Sequence, residues 1–277
     1  ANTLNAKGAF LLKFLHTAIE GMYMGSEAGY EYRWQFSMVG LDEINSQHKS
    51  AVTKDGSKAF LFEFRTNFIM SPNPNPEQKI ILDSESFDVM VHELGDAEKE
   101  ATGLYFLTFK RLKDYWMTRD EIKLMLGQAL DFTREAAADT QHAALNKIPV
   151  VVGLEVCTVQ QDGESIEAAM GRAIRAQYLV PLYLWTKETP KQYKLRYGVL
   201  WLYFLWKLGK IRVENVDEGL AIMQACHICS RATTIGAQIT VLPICGHAFH
   251  TRCLWVWLED NEKCPLCGDP AYDVSRF

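Results

Sequence analysis

The chain has 277 residues, of which 48% are apolar and 23% charged. That is ordinary globular composition, and it excludes a largely disordered chain, a coiled coil and a collagen-like repeat. At roughly 150 residues per domain the length predicts about two domains, and a net charge of −5 gives no basic field to draw the chain onto nucleic acid or anionic lipid.

In chain order, Phe10, Phe14, Leu15, Ala18, Ile19 and Met22 recur at helical spacing and predict a first helix. Lys13 and His16 interrupt that apolar run and no small-residue cleavage pattern follows, so no targeting segment is expected. Lys54-Asp-Gly-Ser-Lys58 reads as a hairpin turn, and no Gly-rich loop ending in Lys-Ser/Thr occurs. Phe60-Leu-Phe-Glu-Phe-Arg65 alternates, as a strand with one polar face does. Ser71-Pro-Asn-Pro-Asn-Pro76 cannot continue a helix or a central strand. It is either a surface loop or a hinge between two subdomains.

Beyond that break, residues 80–82 predict a short strand, and Phe87, Met90, Val91 and Leu94 a short helix. Leu104-Tyr-Phe-Leu-Thr-Phe109 reads as another strand. Thr118 and Glu121 have capping-box spacing, opening a helix with Ile122, Met125, Leu126, Ala129 and Phe132 on one side. Residues 148–159 are rich in valine and predict a strand, whereas 165–179 predict a helix. Pro181 and Pro190 bracket a short extended piece, and a last helix is expected over 192–208. The longest apolar run, residues 197–206, is too short for the roughly 20 residues a bilayer demands, so no transmembrane segment is expected. Its aromatic residues Trp201, Tyr203, Phe204 and Trp206 suit a core. Strands and helices mix without strict alternation, so residues 1–215 are expected to form an α+β body. The polar step at 214–219 marks a domain boundary ahead of a small domain at 222–277.

Two chemical signals in the body are weak. His92-Glu93 lacks the second histidine of a zinc-protease helix. Cys157 stands alone in the valine-rich strand and reads as buried packing.

Six of the seven cysteines fall between Cys226 and Cys267. They read Cys226-His-Ile-Cys229, Cys245-Gly-His247-Ala-Phe-His250-Thr-Arg-Cys253 and Cys264-Pro-Leu-Cys267. A disulfide framework is usual in short secreted chains, whereas this cluster follows a cysteine-poor body and includes histidines, which points to metal in a reducing compartment. Each Cys-x2-Cys pair can chelate one ion, and eight thiolate and imidazole ligands make two closed tetrahedral Zn²⁺ sites. A closed sphere holds no water, so these two ions are structural. About 50 residues bury too little apolar surface to offset chain entropy alone. Zinc, worth roughly 10–16 kcal/mol in small finger peptides, supplies the difference. His227 is a spare, read as an exposed polar residue. A PHD-like finger is the rival double-zinc arrangement, but it usually carries one histidine, and here histidines fill both the fourth and the fifth ligand positions.

The segment from Cys226 to Cys267 resembles a RING finger of the two-histidine type found in ubiquitin ligases. The likeness extends to Leu242-Pro-Ile-Cys245, to Cys253-Leu-Trp-Val-Trp257-Leu258 and to Cys264-Pro-Leu-Cys267. It implies a cross-brace in which Cys226, Cys229, His250 and Cys253 hold one zinc while Cys245, His247, Cys264 and Cys267 hold the other. It further implies that Ile228, Trp257 and Pro265 dock a ubiquitin-conjugating enzyme. An exposed aliphatic, an aromatic and a proline would make a small hot spot. Trp255, Phe249 and Leu254 are expected in a core. The resemblance also implies ubiquitin and a protein substrate as partners, and catalysis by orientation with no catalytic residue on this chain; the reducing compartment points to a cytoplasmic or nuclear location. One departure stands out. Where many such ligases carry Arg or Lys after the last ligand, this chain has Gly268 followed by Asp269. That keeps a non-enzymatic adaptor in contention. Nucleic-acid binding is disfavoured, since residues 226–277 carry four Lys/Arg against five Asp/Glu. The tail ending at Phe277 offers a contact for a homodimer.

Overall fold

The computed structural model describes residues 24–26, 29–38, 59–73, 77–92, 103–142, 145, 147–185 and 208–272. The expected helix at 10–22, the turn at 54–58, the aromatic group at 201–206, the helix at 192–208 except its last residue, and the tail beyond 272 lie outside them. The chain divides into two compact units, Ala1–Gln161 and Asp162–Phe277.

The first unit is built on a five-stranded sheet. Its strands are β1 (Met24–Ser26), β2 (Tyr30–Met38), β3 (Ala59–Ser71), β4 (Ile80–Val91) and β5 (Lys147–Val159), in the order β1-β2-β5-β3-β4. The last strand enters the centre, parallel to β3 and antiparallel to β2. Helices α1 (Gly103–Asp114) and α2 (Arg119–Ala138) fill the connection from β4 to β5. One sheet face carries Phe60, Phe62, Phe64 and Phe68 from β3 beside Ile148, Val150, Val152 and Val156 from β5, all buried. The helices cover this face. Tyr32 donates its hydroxyl to the Tyr115 carbonyl at 2.8 Å, and Trp34 Nε1 donates to Gln128 Oε1 at 2.7 Å. On the other face Glu63, Arg65 and Asn67 break the apolar pattern, but Ala59, Leu61 and Ile69 are buried there, so only the middle of β3 has the polar face its alternation predicts.

Several expectations need correction here. Residues 87–91 belong to β4, because Phe87, Val89 and Val91 are buried alternately, a period of two. Residues 104–109 are helical. The buried set Leu104, Thr108, Arg111 and Leu112 keeps a helical period, Phe106 is exposed, and the Tyr105 and Phe109 rings stack at 5.0 Å, four residues apart. The strands on either side of the Pro-Asn motif, β3 and β4, pair as antiparallel neighbours in the first unit, while residues 74–76 of the motif lie outside the described residues. The capping box is present: Thr118 accepts from Glu121 N at 3.2 Å, and Glu121 accepts from Thr118 N at 2.7 Å.

The sheet–helix interface of the first unit encloses charge. Arg111 is 1% exposed and forms a two-pronged ion pair with Glu85. The Tyr115 hydroxyl donates to the same carboxylate. Burial alone would lower the Arg111 pKa, but the hydrogen bond to Glu85 and the nearby negative groups raise it overall. Burial, reinforced by Glu85, holds the Tyr115 phenol well above its ordinary range.

The second unit begins with α3 (Ile166–Arg172), capped by Ser165, which accepts from Ala168 N at 3.1 Å. This helix ends well before residue 179, as Ala173 turns to extended backbone. The segment after Pro181 is a helical turn, α4 (Leu182–Trp185), because proline suits the start of a helix. There follow β6 (Ile211–Arg212), α5 (Val216–Ile222), β7 (Gln238–Val241), β8 (Ala248–His250) and α6 (Thr251–Asp260), with β6-β7-β8 as a small antiparallel sheet. The division between units falls at Gln161/Asp162, ahead of the polar step at 214–219. The reason is packing: Val180, Leu184, Leu208 and Val213 share one core with Phe249, Leu254, Trp255 and Leu258.

Candidate metal centres and docking face

Three chain reversals build the centres, and they share one backbone pattern. At Cys226, Leu242 and Cys264 the carbonyl accepts from the amide four residues on: Ser230 N at 2.7 Å, Gly246 N at 2.9 Å and Gly268 N at 3.0 Å. The amide of the same starting residue donates forward to the carbonyl five residues on, at Arg231, His247 and Asp269. The fourth residue past each start has positive φ: Ser230 at 58°, Gly246 at 72° and Gly268 at 76°. Glycine suits that conformation because it has no Cβ to clash. Two of these knuckles begin and end on cysteine. The third begins on Leu242, a core residue, so it offers Cys245 and then His247.

The folding of β7, β8 and α6 interleaves the knuckles. Cys226, Cys229, His250 and Cys253 form one group, and Cys245, His247, Cys264 and Cys267 the other. Within each group the ligand atoms all lie within 4.8 Å of one another. Cys229 Sγ is 3.3 Å from His250 Nδ1, and Cys264 Sγ is 3.6 Å from His247 Nδ1. All six cysteines are free thiols despite this crowding. Four soft donors at such spacing match the edges of a tetrahedron with Zn–S bonds of about 2.3 Å, so the donor set fits a zinc ion in each group. The crowding has an electrostatic consequence. The Cys226 thiol is pushed down to about 3, first by the hydrogen bond from Cys253, although burial opposes the shift. His250 is raised, chiefly by its hydrogen bond to Cys226. His227 is exposed and outside both groups.

Around these groups the finger's core is closed. Phe249 and Leu254 are fully buried, and Trp255 is 3% exposed. Its ring faces the Lys210 ammonium at 5.4 Å. Ile228, Trp257 and Pro265 are each half-buried. The Trp257 indole donates to the Lys263 carbonyl at 2.9 Å, which pins the helix-borne ring beside the last knuckle. Ile244 and Leu266, each the residue before a ligand, are exposed at 47% and 44%. Neither stands out in the sequence, although each sits inside a knuckle that turns side chains outward, as it does at Ile228. Cys157 is buried in β5, remote in sequence from both groups, and burial pushes its thiol up to about 11.

Comparison with known proteins agrees with this geometry. The Ring finger domain family matches residues 224–268. The RING-H2 finger protein ATL50 of Arabidopsis thaliana is 46% identical over 44 residues, covering 16% of this chain and 21% of that protein. The E3 ubiquitin-protein ligase ATL4 of the same plant is 40% identical over 47 residues, 17% of this chain and 14% of its own length. The E3 ubiquitin-protein ligase RNF181 homolog of Drosophila melanogaster is 35% identical over 70 residues, 23% of this chain and 46% of its own length. The chain therefore spans less than half the length of each of these relatives. The crystal structure of the RING-H2 domain of Arabidopsis RMR1 matches at 27% identity with a TM-score of 0.22, covering 24% of this chain and 85% of that one. Residues 224–268 are a RING-H2 domain. Relatives of that domain carry the name E3 ubiquitin-protein ligase. Among the described residues no helix is long and apolar enough to cross a membrane.

Proposed function

We propose that this chain is a RING-type E3 ubiquitin ligase. In this reading a charged ubiquitin-conjugating enzyme docks on Ile228, Trp257 and Pro265, in a reducing compartment, cytoplasmic or nuclear. The observation that carries it is the placement of these three residues: each is half-exposed beside a sealed core, and Trp257 is tied to the knuckle that carries Pro265. The metal-binding groups would each hold a structural Zn²⁺ that locks the knuckles. The docked enzyme carries ubiquitin as a thioester. This chain contributes no nucleophile; it restricts the conjugate so that a substrate lysine can reach the thioester carbonyl, which is catalysis by orientation. The first unit would recruit the substrate protein. The second reading, a non-enzymatic adaptor, is favoured by one observation: Gly268 stands where a cation would be useful, in backbone that suits glycine.

The test is discharge of charged conjugating enzymes to free lysine by the purified full chain. Ile228→Ala should slow discharge about tenfold, as loss of one modest hot spot would, with two zinc ions retained per chain. If no conjugating enzyme of a broad panel is discharged faster with the wild-type chain present, the adaptor reading replaces the ligase reading. Metal analysis returning fewer than two ions would contradict the ligand assignment.

A further inference from the structure

A segment well ahead of the RING-H2 domain is packed against it. Residues 172–185 run from the end of α3 through α4, and their buried side chains are Arg172 and the apolar Ala173, Ile174, Leu179, Val180 and Leu184. Val180 and Leu184 belong to the finger's core. The segment holds the domain at three places. At the first knuckle, the Arg231 guanidinium lies 5.5 Å over the Tyr178 ring. On α6, Arg252 Nη1 donates to the Leu179 carbonyl at 2.6 Å, and the Tyr183 hydroxyl donates to Glu259 at 2.7 Å. In the loop before β7, Gly236 has φ +83°, and a Cβ there would come within 2.9 Å of the Arg172 carbonyl. Arg172 is itself locked by a two-pronged pair with Glu164, at 2.7 and 2.8 Å.

The placement of these contacts is selective. Arg252, Trp255 and Glu259 form one stripe of α6. At about 100° per residue, Trp257 lies roughly 140–160° around the helix from each of them. The segment therefore grips α6 on the flank opposite Trp257. It grips the first knuckle, which carries Ile228, through Arg231.

We propose that residues 172–185 are a positioning brace: by holding the first knuckle and α6 together from behind, they set Ile228 and Trp257 at the spacing a conjugating enzyme needs. The inference rests on the ligase reading, and Arg252, Tyr178 and Tyr183 are its positioning residues.

The test uses the full chain carrying Arg252→Ala. The KM for the charged conjugating enzyme should rise about two- to tenfold, the span of one lost hydrogen bond, while kcat changes less than about twofold and two zinc ions remain. Arg252→Lys, which can still donate to the Leu179 carbonyl, should restore most of the loss. If zinc is lost from Arg252→Ala, Tyr183→Phe takes its place, removing only the bond to Glu259. An unchanged KM in a zinc-replete variant overturns the brace while the ligase reading stands. A wild-type chain that discharges no conjugating enzyme overturns the ligase reading instead. Amide hydrogen exchange then decides the brace alone: exchange at 226–231 and 251–260 should quicken in the zinc-replete variant, and unchanged exchange overturns it.

Discussion

Gly268 is the residue at which the local backbone and the proposed chemistry pull apart. Its φ of +76° costs an ordinary L-residue about 1–2 kcal/mol, yet nothing lies within 4 Å of where a Cβ would stand. A longer side chain therefore meets strain but no obstruction. Gly268→Arg should lower the midpoint of thermal unfolding slightly and raise lysine discharge, measured at equal zinc content. A drop in discharge would show that the missing cation does not limit this chain. Cys157 makes a second residue-level prediction. Its folded pKa, about 11, lies above the ordinary 9, so the buried neutral thiol stabilises the fold fully below pH 9. That contribution disappears as pH rises from 9 through 11. Cys157→Ala should flatten the alkaline fall in urea stability over that window relative to wild type. An identical fall in both proteins would remove the thiol from the account.

Among elements, β4 and α1 show how an apolar run misleads. Leu104-Tyr-Phe-Leu-Thr-Phe109 contains too few polar residues for either period to register, and periodicity alone cannot separate a buried strand from a buried helix. The decision came from outside the run. Arg111 and Tyr115, on and just beyond the same helix, meet Glu85 of β4 across the interface. Residues 87–91 misled in the opposite way, because Phe87, Met90 and Val91 share a helical spacing by accident while Phe87, Val89 and Val91 face the core. The Arg111–Glu85 pair should be costly to break. Glu85→Ala removes the two-pronged partner of a buried guanidinium and leaves it the Asp114 carboxylate at 4.0 Å, and the expected loss is about 3 kcal/mol in urea unfolding of the first unit. A double change of Arg111 and Glu85 to leucine should recover much of it. If Glu85→Ala costs under 1 kcal/mol, water reaches the pair and the packing described here is wrong.

Across the molecule, each unit is stabilised by a different means. The first has a five-stranded sheet and helices with a large aromatic core; the second has short strands, a ten-residue helix and eight crowded cysteine and histidine side chains. Chelation of zinc should therefore strip hydrogen-exchange protection from residues 226–267, while residues 147–159 keep theirs. Acidification should act alike on the second unit, since protons compete with metal for thiolate and imidazole. Protection at 226–267 that survives full metal removal would mean that the apolar core alone folds the domain.

The two Cys-x2-Cys knuckles were legible in the amino-acid order because a knuckle is local: two residues between cysteines suffice to aim both sulfurs inward. The helix cap at Thr118 was legible for the same reason. Which four side chains share a group followed only from the resemblance, because the folding of β7, β8 and α6 brings the knuckles together. What the order of residues could not show was where the second unit starts. Val180 and Leu184 read as part of an α+β body, and only the three-dimensional packing joins them to Phe249 and Leu254 in one core. The grip of residues 172–185 on α6 is likewise a tertiary fact. It joins Leu179 to Arg252 and Tyr183 to Glu259, pairs that no local spacing rule connects, because long-range contacts depend on how all the elements share one core.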